Sequence, residues 1–107
     1  MTATPAGMTY ADYLALDQLL TAQKPLSDLQ DEMHFMDIHQ TKELWLKQMH
    51  HELDLAIELV DEDRFAPAYK AMARISRIQA VMTMSWDVLS TLTPVDYMAF
   101  RHVLGTS

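Results

Sequence analysis

Apolar residues return at helical spacing through nearly the whole chain, and the polar residues between them mark where helices start and stop. Thr9 followed by Asp12 is a helix N-terminus signature, with apolar positions at Tyr10, Tyr13, Leu14, Leu16, Leu19 and Leu20. This predicts a first helix over about 9–22, broken at Lys24-Pro25-Leu26. Ser27 and Gln30 then read as a capping box for a second helix over 28–61. In it, positions 35, 38, 42, 46, 49, 53, 56 and 60 share one stripe and only Lys42 is out of character. Such a helix would be ~50 Å long at 1.5 Å per residue.

Asp61 to Arg64 is a charged turn. Pro67 suits the first turn of a third helix over 66–92, with Met72, Ile75, Ile78, Met82, Leu89 and Leu92 facing inward. Thr93-Pro94-Val95-Asp96 opens a short fourth helix over 94–104, and Gly105 is a natural stop. The expectation is an all-α, long-helix bundle: a loose lead-in over 1–8, then a single helical domain over 9–107. A rod of that length needs long partner helices from this chain or others, so completion by oligomerisation is expected.

Composition narrows the function classes. Half of the 107 residues are hydrophobic, and there are only two Gly and four Pro, which favours helix over disorder. The formal net charge of −7, with no basic stripe, argues against nucleic acid as a partner. No 18-residue apolar run offers a membrane span, and the first residues lack the pattern of a secretion signal, so the expected location is cytoplasmic. The absence of cysteine removes disulfides, thiolate metal sites and thiol nucleophiles. Nine methionines read as adaptable filler between helices, or as a surface for partners or a flat apolar ligand.

Several polar residues are candidates for chemistry. His39 and Glu43, like His50 and Asp54, lie one turn apart on a single helix. A di-metal bundle needs ligands from several helices, and every histidine except His102 is on this one. His50 and His51 beside Glu52 and Asp54 read as a solvated face. His39, flanked by Phe35, Ile38 and Leu46 with Trp45 close by, is either a satisfied core residue or a neutral imidazole able to accept a proton. Arg101, on a helix with Tyr97 and Phe100, is suited to gripping a carboxylate bidentately; an ordinary salt bridge is the alternative. Tyr10 and Tyr13 form a paired aromatic wall or pack a core. One base, one carboxylate clamp and several aromatics suit an aromatic amino acid, without naming a reaction.

The stretch DEMHFMDIHQTKELWLK (31–47) resembles the signature of the tryptophan 2,3-dioxygenase family. So do MTYADYLALDQLL (8–20), QKPLSD (23–28), WDVL (86–89) and TPVDYMAFRHVLG (93–105), in order and over almost the whole chain. The resemblance implies the N-terminal portion of that family's helical fold, and a haem b enzyme inserting both atoms of O2 across the indole C2–C3 bond of L-tryptophan to give N-formylkynurenine. It implies that His39 lies on the distal side of the haem, facing the indole N–H, with Phe35 and Tyr97 lining the pocket. By the same resemblance Arg101 binds the substrate carboxylate and Trp86 lies near the haem. Tyr10, Tyr13 and Leu14 would come from a neighbouring subunit of a tetramer. In the family the proximal histidine bound to iron belongs to the C-terminal half, and none of the other histidines here matches it, so no metal ligand is assigned. This stretch alone is therefore expected to fall short of a complete catalyst. It is a piece completed by a C-terminal polypeptide, a short relative binding haem or an aromatic ligand in a helical oligomer, or an assembly module. Outside the family, the alternative is an acidic bundle binding metal through His50, His51 and Asp54, or a partner helix.

Overall fold

A computed structural model of the chain describes residues 7–104. Five α-helices follow in order: α1 (Tyr10–Tyr13), α2 (Leu16–Leu19), α3 (Gln30–Asp61), α4 (Phe65–Leu89) and α5 (Pro94–Phe100). A 3-10 turn, Arg101–Leu104, completes them, and there is no strand among the described residues. The all-α expectation holds. Residues 1–6 of the lead-in and the Gly105 stop lie outside the described residues.

Two helix starts read from the sequence form as expected. The Thr9 side chain accepts from the Asp12 amide at 3.1 Å while the Asp12 carboxylate accepts from the Thr9 amide at 3.2 Å. Thr93 accepts from the Asp96 amide at 3.2 Å, with Pro94 in the first turn. Two other expectations fail. The helix expected over 9–22 is broken by Ala15, which sits in the left-handed region at φ 52° and splits it into α1 and α2. No Gly or Pro announces this break. The Ser27–Gln30 capping box is also absent, because Leu29 is the N-cap of α3 and gives it no side-chain bond. Glu32 takes over instead. Its carboxylate accepts from the amides of Leu26 at 2.9 Å and Ser27 at 2.8 Å, and from the Ser27 hydroxyl. The side chain is almost fully buried, and these donors hold its carboxyl below the usual glutamate value, the Leu26 amide contributing most.

At its far end α3 closes with Asp63 at φ 58°. The Arg64 amide donates to the Leu59 carbonyl at 2.8 Å and the Asp63 amide to that of Val60 at 3.0 Å. This is the Schellman arrangement, with aspartate in the place glycine usually fills. It reverses the chain in three residues, so α4 must return along α3. Arg74 reaches Glu52, and Thr91 reaches His34, which fixes the antiparallel register. Ala56, Leu59, Ala68, Ala71 and Ile78 form the buried seam, where the small alanines let the helices close together. Ile78 is inward as expected, whereas Met72 is half exposed. Glu52, itself buried on this seam, meets the Arg74 guanidinium at 2.7 Å and Gln48 at 3.1 Å. The guanidinium is the main reason its carboxyl titrates below the usual value.

α5 folds back against α3 and buries Phe100 completely. α1 and α2 pack on each other as an arm, held to α3 where Gln40 accepts from the Gln23 amide side chain at 2.7 Å and donates to the Ala22 carbonyl at 3.2 Å. The molecule measures 52 × 37 × 23 Å with a radius of gyration of 18.3 Å. A compact chain of this length would be near ~13 Å.

Candidate functional site

The aromatic residues of α3 and α5 meet where α5 crosses the first turns of α3. Phe100 is fully buried and serves as the backing. Phe35 meets it edge-on at 5.6 Å between ring centroids, and Tyr97, one turn before Phe100 on α5, meets it edge-on at 5.7 Å. Phe35 and Tyr97 are 5.8 Å apart. Each such pair is worth about 0.5–1.5 kcal/mol beyond the area buried. The three contacts fix α5 and present Phe35 and Tyr97, both half-buried, as one wall.

His39 completes this wall. Its ring stacks on Phe35 at 4.1 Å, and its Nδ1 lies 2.8 Å from the Phe35 carbonyl oxygen. A carbonyl oxygen only accepts, so Nδ1 carries the hydrogen and donates. In the neutral imidazole the lone pair is then on Nε2. The ring is half-buried, so an acceptor nitrogen is offered at an aromatic surface. Helix geometry makes this possible: residue 39 stands one turn beyond residue 35, and its side chain leans back over that turn.

Arg101 opens the 3-10 turn directly after Phe100, exposed, with Nη1 3.8 Å from the Met98 sulfur. Among the described residues it forms no ion pair with a carboxylate. Trp86 is on α4, half exposed, with the Lys42 ammonium 3.2 Å from its ring centroid. The structure thus brings Phe35, His39 and Tyr97 together, puts Arg101 at the end of the same α5 segment, and connects Trp86 to the stripe of α3 through Lys42. Tyr10, Tyr13 and Leu14 are exposed on the α1 arm and make no ring contact with this cluster. His50 and His51 are exposed, and no group of three His, Asp or Glu residues converges for a metal among the described residues.

Sequence reasoning missed three participants. Phe100 was readable as Tyr97's neighbour one turn on, but not as the buried backing. Lys42 stood out as the polar member of an apolar stripe, without its Trp86 partner. Glu32 gave no signal, because its partners depend on how residues 26–29 turn.

Comparison with known proteins gives the family. A family profile described as tryptophan 2,3-dioxygenase matches residues 1–107. The chain belongs to the tryptophan 2,3-dioxygenase family. It is 65% identical over 100 residues to the tryptophan 2,3-dioxygenase of Caulobacter vibrioides, covering 94% of this chain and 38% of that one. To the tryptophan 2,3-dioxygenase of Bacillus thuringiensis strain Al Hakam it is 54% identical over 98 residues, covering 92% and 35%. That of Shewanella woodyi is 52% identical over 100 residues, covering 94% and 35%. The chain therefore spans little more than a third of the length of these relatives.

The donor set can be tested against haem, the cofactor the family resemblance implies. The half-buried aromatic wall of Phe35 and Tyr97 is an apolar surface of the kind a flat macrocycle packs on. The haem iron is less well served. His39 has Nδ1 engaged, His34 is 3.3 Å from the Thr91 hydroxyl, and His50, His51 and His102 are exposed. The described residues offer an aromatic, apolar surface and no converging set of metal ligands.

Proposed function

We propose that this chain forms the distal, substrate-facing side of a tryptophan 2,3-dioxygenase site, working within a larger, homo-oligomeric cytoplasmic assembly. The observation that carries this reading is the His39 tautomer. With Nδ1–H bound to the Phe35 carbonyl, Nε2 can accept from an indole N–H held against the aromatic wall. Haem, when bound, supplies the activation of O2 for its insertion across the indole C2–C3 bond of L-tryptophan, giving N-formylkynurenine. The residues of this chain orient the substrate. Phe35 and Tyr97 set the plane of the indole, His39 Nε2 accepts its N–H, and Arg101, free of a carboxylate partner among the described residues, takes the substrate carboxylate. Trp86 would border the haem, and Tyr10, Tyr13 and Leu14, exposed on the arm, would reach a neighbouring copy's site. By the family resemblance, a histidine to hold the haem iron would come from the sequence that corresponds to the relatives' remaining length.

A second reading has its own observation. Because the chain spans 38% of the Caulobacter vibrioides relative, this portion taken alone would act as a non-catalytic helical oligomer that binds haem or an aromatic ligand.

The test is to supply the haem-reconstituted protein with L-tryptophan, and with tryptamine, which lacks the carboxylate. Arg101→Gln is expected to raise KM for L-tryptophan by tenfold or more and to leave KM for tryptamine nearly unchanged. Equal effects on the two substrates would remove Arg101 from the clamp. Failure of the wild-type protein to convert either substrate, with haem bound, would favour the second reading.

A further inference from the structure

Lys42 is the one charged residue on the apolar stripe of α3, and the orienting contacts described above do not use it. It is half-buried, with its ammonium 3.2 Å from the centre of the Trp86 ring. A cation over an indole face is attracted by the ring's quadrupole but is covered on one side only. The chain gives it no acid: the residues one turn before and after are Ile38, His39, Trp45 and Leu46. Among the described residues no carboxylate lies within ion-pair distance of it, in a protein carrying fifteen. A strongly hydrated cation held against an aromatic face without a counter-ion is arranged for an anion that arrives from outside.

Its place on the stripe says which anion. Phe35, His39 and Lys42 follow one another along α3 on one face. The wall of Phe35, Tyr97 and Phe100, and Arg101 beyond it, lie on the N-terminal side of His39; Lys42 and Trp86 lie on the C-terminal side. Lys42 therefore stands on the opposite side of His39 from the wall that Arg101 follows in the chain. One anion, the substrate carboxylate, is already assigned to Arg101. A flat ligand lying along the stripe, apolar over most of its area and anionic at one edge, would bring that edge to Lys42. Haem has this shape, with two carboxylates on one side of an apolar macrocycle. We propose that Lys42, braced on Trp86, is a cofactor-anchoring residue that pairs with a carboxylate of the bound haem. This rests on the reading of the stripe as a haem-facing surface.

The experiment measures release of haemin, and of haemin dimethyl ester, from the reconstituted full-length protein to excess apomyoglobin. Wild type is compared with Lys42→Met, which keeps the length of the side chain, and with Lys42→Arg, which keeps the charge. Haemin is expected to leave Lys42→Met about fivefold faster or more, and to leave Lys42→Arg at close to the wild-type rate. The diester should leave wild type and Lys42→Met at the same rate. If haemin leaves Lys42→Met no faster than wild type, or if the diester is accelerated equally, Lys42 merely ties α3 to α4 and the proposal is overturned. If the wild-type protein retains neither haemin nor the diester, the haem-facing reading itself falls and takes the proposal with it.

Discussion

At the scale of single residues, two side chains carry most of what is specific to this molecule. His39 has its tautomer fixed by a carbonyl one turn earlier on its own helix. His39→Gln keeps a hydrogen-bonding side chain but loses the ring stacked on Phe35, so turnover should fall at least tenfold with thermal stability little changed. The comparison of kcat with melting temperature checks it; parallel losses would mean that His39 only packs. Glu32 is the opposite case, a buried acid with a structural task. Its folded-state pKa lies below the ordinary 4.5 because the Leu26 amide, then the Ser27 hydroxyl and amide, bind the ionised form against the opposing effect of burial. The stability it contributes is therefore fully present above pH 4.5 and is lost as pH falls through the lower folded value. In urea titrations Glu32→Gln should be less stable than wild type at pH 7, with the gap closing as the pH falls below that point. A gap independent of pH would show that the carboxylate charge is not what holds the turn. Neither role was legible in the same degree. The His39 environment follows from spacing along one helix, whereas Glu32 needs the fold of residues 26–29 before it has any partner.

At the scale of elements, two of the three cap signals form as expected, the Ser27–Gln30 box does not, and the break at Ala15 has no signal in the sequence. The caps at Thr9 and Thr93 are complete within four residues, so the sequence displays all of their chemistry. The split between α1 and α2 rests on Ala15 at φ 52°, a conformation that alanine does not favour and does not advertise. Glu52 and Arg74, 22 residues apart, meet only because the Schellman turn sets the register of α4 on α3. That turn depends on Asp63 at φ 58°. Glycine meets no steric cost there, so Asp63→Gly should stabilise the protein by about 0.5–1 kcal/mol, whereas Asp63→Val, β-branched, should destabilise it by about 1–2 kcal/mol. Chemical denaturation at neutral pH checks both. Destabilisation by glycine would mean that the aspartate side chain contributes something beyond tolerance of this conformation.

At the scale of the whole molecule, the fold is a hairpin of two long helices with an arm and a short crossing helix, and its buried seam is thin. Ala56, Leu59, Ala68, Ala71, Ile78 and Phe100 are the buried apolar residues among those described, three of them alanines. Meanwhile Leu44, Leu53, Leu55, Ile57, Tyr69, Met72 and Met84 are exposed along the outer faces of α3 and α4, and Tyr10 and Leu20 on the arm. A leucine moved fully from water to an interior gains roughly 1.5–3 kcal/mol, so leaving this many about half exposed forfeits an amount comparable with the usual ~5–15 kcal/mol net stability of a domain. The periodicity of α3 already implied this, since a ~50 Å rod cannot be covered by a small globule; which face meets which partner was beyond any reading of one chain. The expectation is that the purified protein sediments as a homo-oligomer several times its 12.3 kDa chain mass, and that its melting temperature rises with protein concentration, because folding and assembly are then one equilibrium. Leu55→Glu together with Ile57→Glu, placed on exposed positions of α3 away from Phe35 and His39, should lower both the mass and the melting temperature. A monomer with a sharp, concentration-independent unfolding transition would show instead that the thin seam of α3 and α4 suffices, and that the exposed leucines are not an interface.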